Sequence, residues 1–284
     1  MTGSAQYDPL EYWRRRLGDE SSLSTVGLLG AGLGYNTWLY AVRRAVLLRT
    51  LRRLGVSVAG RAVLELGVGT GFYVPIWERM GASRIVGLDI THESVRLLGA
   101  RYRPHTFLVQ DIGTRFSLGE QFGIVTAFDV LFHIVDDDKH RAALENAVAH
   151  TEPGGYLLVT DVLLRGASPP TAPHVRFRPR RAYEATLSHL GMDLVGSTPV
   201  FVSMVSACDR SSAGLGTIPG CCWRLARPVL TRLRGWQQDT AGYLLGAAAY
   251  PAELALTAAA THGPSTELFV WRRRVTDSHM PEGA

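Results

Sequence analysis

Lysine is all but missing from this chain of 284 residues: of its 30 basic side chains only Lys139 is a lysine, and the rest are arginine. The resulting charge of +5 and pI near 9.3 would suit an anionic partner, but a GC-rich coding bias gives the same skew. The arginine clusters at 14–16, 176–181 and 272–274 stand far apart in sequence, and no nucleic-acid-binding module surrounds them, so no nucleic-acid partner is expected. Cysteine is scarce as well. Cys208, Cys221 and Cys222 make an odd count without C-x-x-C spacing, which speaks against a disulfide framework and for reduced thiols in a cytoplasmic protein. Histidines and acids do not fall at zinc-type spacing, so no metal is expected. The opening residues, MTGSAQYDPLEYW, lack a basic region followed by an apolar core, and no signal peptide is expected. Internal repeats and low-complexity tracts are absent. The stretch AGYLLGAAAYPAELALTAAA (241–260) is long enough to span a bilayer, yet Pro251 and Glu253 interrupt it and its side chains are small. It reads as a buried helix or a cap, with peripheral membrane contact left open and stable insertion excluded.

What is present is a regular alternation of short apolar runs with helical patterns. Residues 8–20 read as a short helix. The glycine-rich GLLGAGLG (27–34) separates it from a second helix over 35–55, where Gly55 offers a stop. AVLEL, RIVGLDI, TFLVQD, FGIVTAFDV and GYLLVTDVL read as strands, with helices after Gly71, from Thr91 and from Asp136 between them. Such alternation implies an α/β fold with a mostly parallel sheet covered on both faces. Beyond it come a helix at 180–191, a strand at 192–206, some sixty residues of mixed character, and a last strand at TELFVWRRR. With no ordinary crossover helix between them, these two strands are expected to form an antiparallel hairpin. Four segments result: an N-terminal helical lid (1–55), a core (56–206), a cap insertion (207–265), and the last strand with its tail (266–284).

The strongest local signal is VLELGVGTGFYV (63–74). Gly67, Gly69 and Gly71 follow directly on a strand, so the chain can turn sharply and bring backbone N–H groups close to a ligand. A dinucleotide fingerprint would want its third glycine at position 72, where Phe72 stands. Glu65, two residues before the first glycine, suits a ligand with a cationic end better than a pyrophosphate. An NAD-dependent oxidoreductase is therefore disfavoured.

In these residues the sequence resembles the class I S-adenosylmethionine (SAM)-dependent methyltransferases. Their first motif, an acid followed by G-x-G-x-G, is matched by Glu65, Gly67, Gly69 and Gly71. The acid that ends their second strand is matched by Asp89, with Ile90 beside it, and the residue after their third strand by Asp111. The resemblance implies a Rossmann-like, seven-stranded, mostly parallel sheet whose last strand is antiparallel. It also implies SAM as cofactor: Asp89 on the ribose hydroxyls, Asp111 on the adenine amino group with the Ile112 backbone near the ring, and Asp129 bordering the ligand. The three acids fall at the C-terminal ends of their strands, the edge along which open α/β sheets bind ligands.

For the chemistry, His133 in TAFDVLFHIVDDD is the first candidate general base, because imidazole titrates near neutrality. A packed histidine that only shapes the pocket is the other reading. His174 is a second candidate base, and Arg176 a candidate for an acidic substrate group, both in PHVRFRPRR. Tyr35 and Asn36, in the stretch YNTWLY, are candidates to meet the substrate, although the same spacing suits helix packing. No Asn/Asp-Pro-Pro-aromatic box follows the fourth strand, which argues against base and glutamine-amide methylation. The expected acceptor is a small, largely apolar molecule of specialised metabolism. Oxygen is favoured over nitrogen, and carbon methylation of a prenyl-type substrate or a non-catalytic SAM-binding role are alternatives. A monomer or homodimer is expected.

Overall fold

Neighbouring residues along each central strand go to opposite sides. Val63, Ile85 and Ile124 join one buried apolar cluster, while Leu64, Val86 and Val125 join another. That period of two, with both sides apolar, is what a sheet covered on both faces requires. The computed structural model describes residues 7–18, 22–165, 172–209 and 218–275. Its sheet has seven strands: β1 (Ala62–Leu66), β2 (Arg84–Asp89), β3 (Thr106–Val109), β4 (Phe122–Phe128), β5 (Thr151–Asp161), β6 (Met192–Pro199) and β7 (Glu267–Arg273). Their order is β3-β2-β1-β4-β5-β7-β6. All neighbours pair in parallel except β7, which runs antiparallel to both β5 and β6. The Rossmann-like fold and the antiparallel hairpin of the last two strands are as the sequence implied.

Strand order reverses between β1 and β4, so the chain leaves their C-terminal ends in opposite directions and a crevice opens there. Helices α1 (Pro9–Leu17), α2 (Leu23–Val26) and α3 (Gly32–Arg53) precede the sheet. Asp8 caps α1 by accepting from the Leu10 and Glu11 amides, and Gly18, at φ 47°, ends it before the predicted limit. Helices α4 (Val74–Arg79), α5 (His92–Arg101), α6 (Asp137–Ala149) and α7 (Arg180–His189) follow β1, β2, β4 and β5.

The sixth strand stops at Pro199 rather than reaching 206. Glu253 explains the shortening: its buried carboxylate accepts from the Val202 and Ser203 amides at 2.6 and 2.8 Å. A side chain thus satisfies donors that a neighbouring strand would otherwise take. Glu253 belongs to α9 (Gly235–Ala259), which with α8 (Cys221–Leu230) forms the insertion. Helix α9 lies along α3 at close range. A Cβ on Gly34 would fall 1.9 Å from the Asp239 carbonyl oxygen, and one on Gly246 would fall 2.7 Å from the Trp38 ring. The small residues of the 241–260 stretch are there because two backbones meet. None of the described helices is long and apolar enough to cross a membrane. Residues 210–217 of the insertion and the tail from 276 lie outside the described residues.

Candidate active site

A cavity of about 820 Å³ opens at the switch point, walled by the loops that follow β1, β2, β3 and β4 and roofed by α1, α2 and Tyr40 of α3. The turn after β1 forms its floor. Gly67 and Gly69 have φ of 75° and 52°, values that favour glycine, and a Cβ on Gly67 would strike Val130 Cγ2 at 2.6 Å. Around Gly69 there is open space, with the nearest atom, on Val26, at 3.8 Å. Gly71 also has positive φ, but it does not line the cavity: a Cβ there would meet Leu98 of α5 at 2.5 Å. Its part is to let helix and loop approach.

Glu65, Asp89, Ile90, Asp111, Ile112 and Asp129 all line the cavity. Glu65 is buried, and among the described residues its side chain's one hydrogen bond is a neutral one from the Trp77 indole at 3.1 Å. Burial without a cation pushes its carboxyl up to about 8. Asp89 holds the glycine loop in shape. Its carboxylate accepts from the Gly69 amide (2.8 Å), the Thr91 amide (2.9 Å) and the Thr91 hydroxyl (2.7 Å). The Ile90 amide bonds to it as well, so the carboxylate gathers the donors of the loops after β1 and β2. Desolvation raises the Asp89 pKa against these bonds. Asp111 accepts from the Gly113 amide at 2.8 Å and lies 3.3 Å from the ammonium of Lys139.

Asp129 is the one non-glycine residue with positive φ among those described, at 53°. Its Oδ2 pairs with the buried guanidinium of Arg43 at 2.8 Å, while Oδ1 is buried without a hydrogen-bond partner. Backbone strain and an unsatisfied carboxylate oxygen at the cavity wall are the marks of a site built for a ligand.

His133 sits on the short turn Leu131–His133 and lines the cavity. Its Nδ1 lies 2.9 Å from the His174 carbonyl oxygen. A carbonyl only accepts, so Nδ1 carries the proton and Nε2 is left with a free lone pair. Desolvation lowers the His133 pKa to about 4; the bond to the His174 carbonyl opposes this, while the charges of the His174 ring and Arg16 add to it. The ring is neutral at ordinary pH. Trp13 meets it edge-on, with centroids 4.8 Å apart.

Other expected residues are placed elsewhere. His174 does not line the cavity: its ring stacks on Tyr12 at 4.5 Å and on His133 at 5.7 Å, and its backbone orients His133. Arg176 does reach the cavity wall, but it is paired with Asp137 at 2.6 Å. Tyr35 and Asn36 are fully buried away from it. The Tyr35 hydroxyl donates to the Met204 carbonyl, and Asn36 ties Leu28 and Gly32 through side-chain bonds, so helix packing and not substrate contact accounts for both. The described part of the insertion contributes no lining residue either; α9 covers α3, not the cavity.

Sequence reasoning missed Arg43, Lys139, Tyr7 and Trp13. Arg43 and Lys139 become site residues only through long-range pairing with Asp129 and Asp111. Trp13 had a local signal in the cap Asp8, Pro9 and the aromatic-rich first helix. Tyr7, whose buried hydroxyl has no partner, had none.

Residues 63–155 match the family model described as a methyltransferase domain. Among curated proteins the chain is similar to a ribosomal protein L11 methyltransferase of Geobacter metallireducens, 28% identical over 49% of this chain and 44% of that protein. The chain thus spans less than half the length of this relative. Among solved structures it is similar to the N-methyltransferase NodS of Bradyrhizobium japonicum with bound S-adenosylhomocysteine, at 14% identity, TM-score 0.53, and 94% and 99% of the two chains covered. The cyclase SpnF is similar too, at 17% identity, TM-score 0.52, and 80% and 81% coverage. Glycine loop, strand order and family match converge: residues 63–155 match a methyltransferase-domain model, and the chain has the fold of the class I SAM-dependent methyltransferases.

Proposed function

We propose that this chain binds SAM at the switch-point cavity and moves its methyl group to a small, largely apolar acceptor of specialised metabolism. The observation that carries this reading is the pair of acidic groups left without a full set of partners. Glu65 is a buried acid with no cation beside it among the described residues, and Asp129 presents a buried, unbonded oxygen. Both face a floor of bare backbone at Gly67 and Gly69. A ligand with an amino-acid end and a sulfonium supplies the missing positive charge. Asp89 faces the sugar hydroxyls, and Asp111 with the Ile112 backbone takes the base.

SAM, when bound, supplies both an electrophilic methyl group and its own leaving group, so the protein's work is alignment and proton removal. Trp13, Tyr40 and Phe72 wall the cavity with apolar rings and exclude water. His133 Nε2 is the group placed to receive the acceptor's proton, with the His174 carbonyl fixing its tautomer. Oxygen stays the favoured acceptor atom. An amine is the second reading, supported by the weak basicity of His133: a neutral amine needs its proton removed only after the methyl has arrived.

Calorimetry with SAM, S-adenosylhomocysteine and NAD tests the binding half of the proposal. Heat is expected with the first two and none with NAD; heat with NAD alone, or with none of them, overturns it. Release of S-adenosylhomocysteine with candidate acceptors tests the transfer half and separates an enzyme from a binding protein.

A further inference from the structure

From Asp209 to Asp239 the sequence contains no acid between the two aspartates, yet it holds five arginines. The fold gathers the later part of this stretch at one elbow, where α8 turns into α9. Arg227, Arg232 and Arg234 are exposed there and enter no ion pair among the described residues; the latter two donate only to backbone carbonyls of their own turn. Large apolar side chains stand out among them: Leu225 is 78% exposed, Trp236 75% and Val229 42%. The turn before α3 adds Leu29, 60% exposed, because Gln238 donates to both the Gly30 and Leu230 carbonyls and so ties that turn to the elbow.

We infer that this elbow is a docking surface for an anionic lipid bilayer. Arginines without acidic partners are drawn to a surface of negative headgroups, and the exposed Leu, Val and Trp side chains enter the boundary with the acyl chains. The charge decides against a second copy of the chain, since two such elbows would repel each other. Nucleic acid would use the arginines but leave Leu225 and Trp236 facing water or phosphate. The cavity lies elsewhere: none of the elbow's residues lines it. The inference therefore does not depend on the proposed methyl transfer.

Co-sedimentation of the full chain with vesicles tests it, using phosphatidylcholine alone and phosphatidylcholine with phosphatidylserine in a three-to-one ratio. The chain is expected to sediment with the mixed vesicles, to stay in solution with phosphatidylcholine alone, and to be released by salt. Arg232→Glu with Arg234→Glu should lower the partition by about tenfold or more. Leu225→Ser with Trp236→Ser should lower it comparably while leaving the melting temperature unchanged, because both side chains are already in solvent. Failure to sediment with the mixed vesicles overturns the inference, as do equal retention on neutral vesicles and indifference to both double variants. Capture by nucleic acid or by an acidic protein, with no lipid binding, overturns it as well.

Discussion

Glu65 holds its proton in the free protein near neutral pH, because burial without a cation lifts its carboxyl to about 8. A cationic ligand must draw that proton off. Affinity for SAM should therefore climb with pH, by up to about tenfold per unit, and level off above about pH 8. Glu65→Gln should bind more weakly at pH 8 and lose the slope; calorimetry across pH checks both. The same group affects stability. Its folded pKa lies above the ordinary 4.5, so the folded state holds a proton that the unfolded chain has released. This contribution is present below about pH 4.5 and fades as pH rises to about 8, and the melting temperature of the free protein should fall there relative to Glu65→Gln. His133 titrates the other way from its ordinary value, near 4, so its neutral form is complete well below neutrality. The acid limb of kcat should lie near that pH. His133→Gln should lower kcat on the order of a hundredfold with SAM affinity unchanged, whereas His174→Ala keeps the backbone carbonyl and should cost far less. A kcat unmoved by His133→Gln would remove its assignment as proton acceptor.

At the scale of elements, the seam between α3 and α9 is set by what is missing from Gly34 and Gly246. Leucine at 246 would drive its side chain into Trp38, and the two helices would have to separate. The expected loss is about 1–3 kcal/mol, the usual range for overpacking, read as a lower urea midpoint with an unchanged slope. The strands and helices of the core were legible because each carries its own period and its own breaks. Glu65, Asp89 and Asp111 were legible as site residues because each ends or follows a strand whose C-terminal edge is the binding edge. Two readings stayed double for one reason: a single helical stripe does not say what it faces. Tyr35 and Asn36 read either as substrate contacts or as helix packing and meet Met204, Leu28 and Gly32, and the apolar insertion read either as a buried helix or as a cap and meets α3. Arg43 could not be read at all, since its partner Asp129 is distant in sequence.

For the molecule as a whole, the cavity joins two parts that make few other demands on each other. Its floor belongs to the sheet, which is stable through strand pairing on both sides of β1. Its roof belongs to α1, held by the Trp13 contact with His133, the Tyr12 stack on His174, and a long bond from Arg16 to the Gly27 carbonyl at 3.4 Å. A ligand between floor and roof binds the closed arrangement better than the open one, and so stabilises both at once. Saturating S-adenosylhomocysteine should slow amide exchange in residues 67–71 and also in 9–17, which the nucleoside need not touch. Trp13→Ala should keep the first effect and lose most of the second, because the roof is then no longer coupled to His133. Protection confined to the glycine loop in the unaltered protein would mean that α1 does not move with ligand binding. The cavity would then be an open groove, and its acceptor would meet water during transfer.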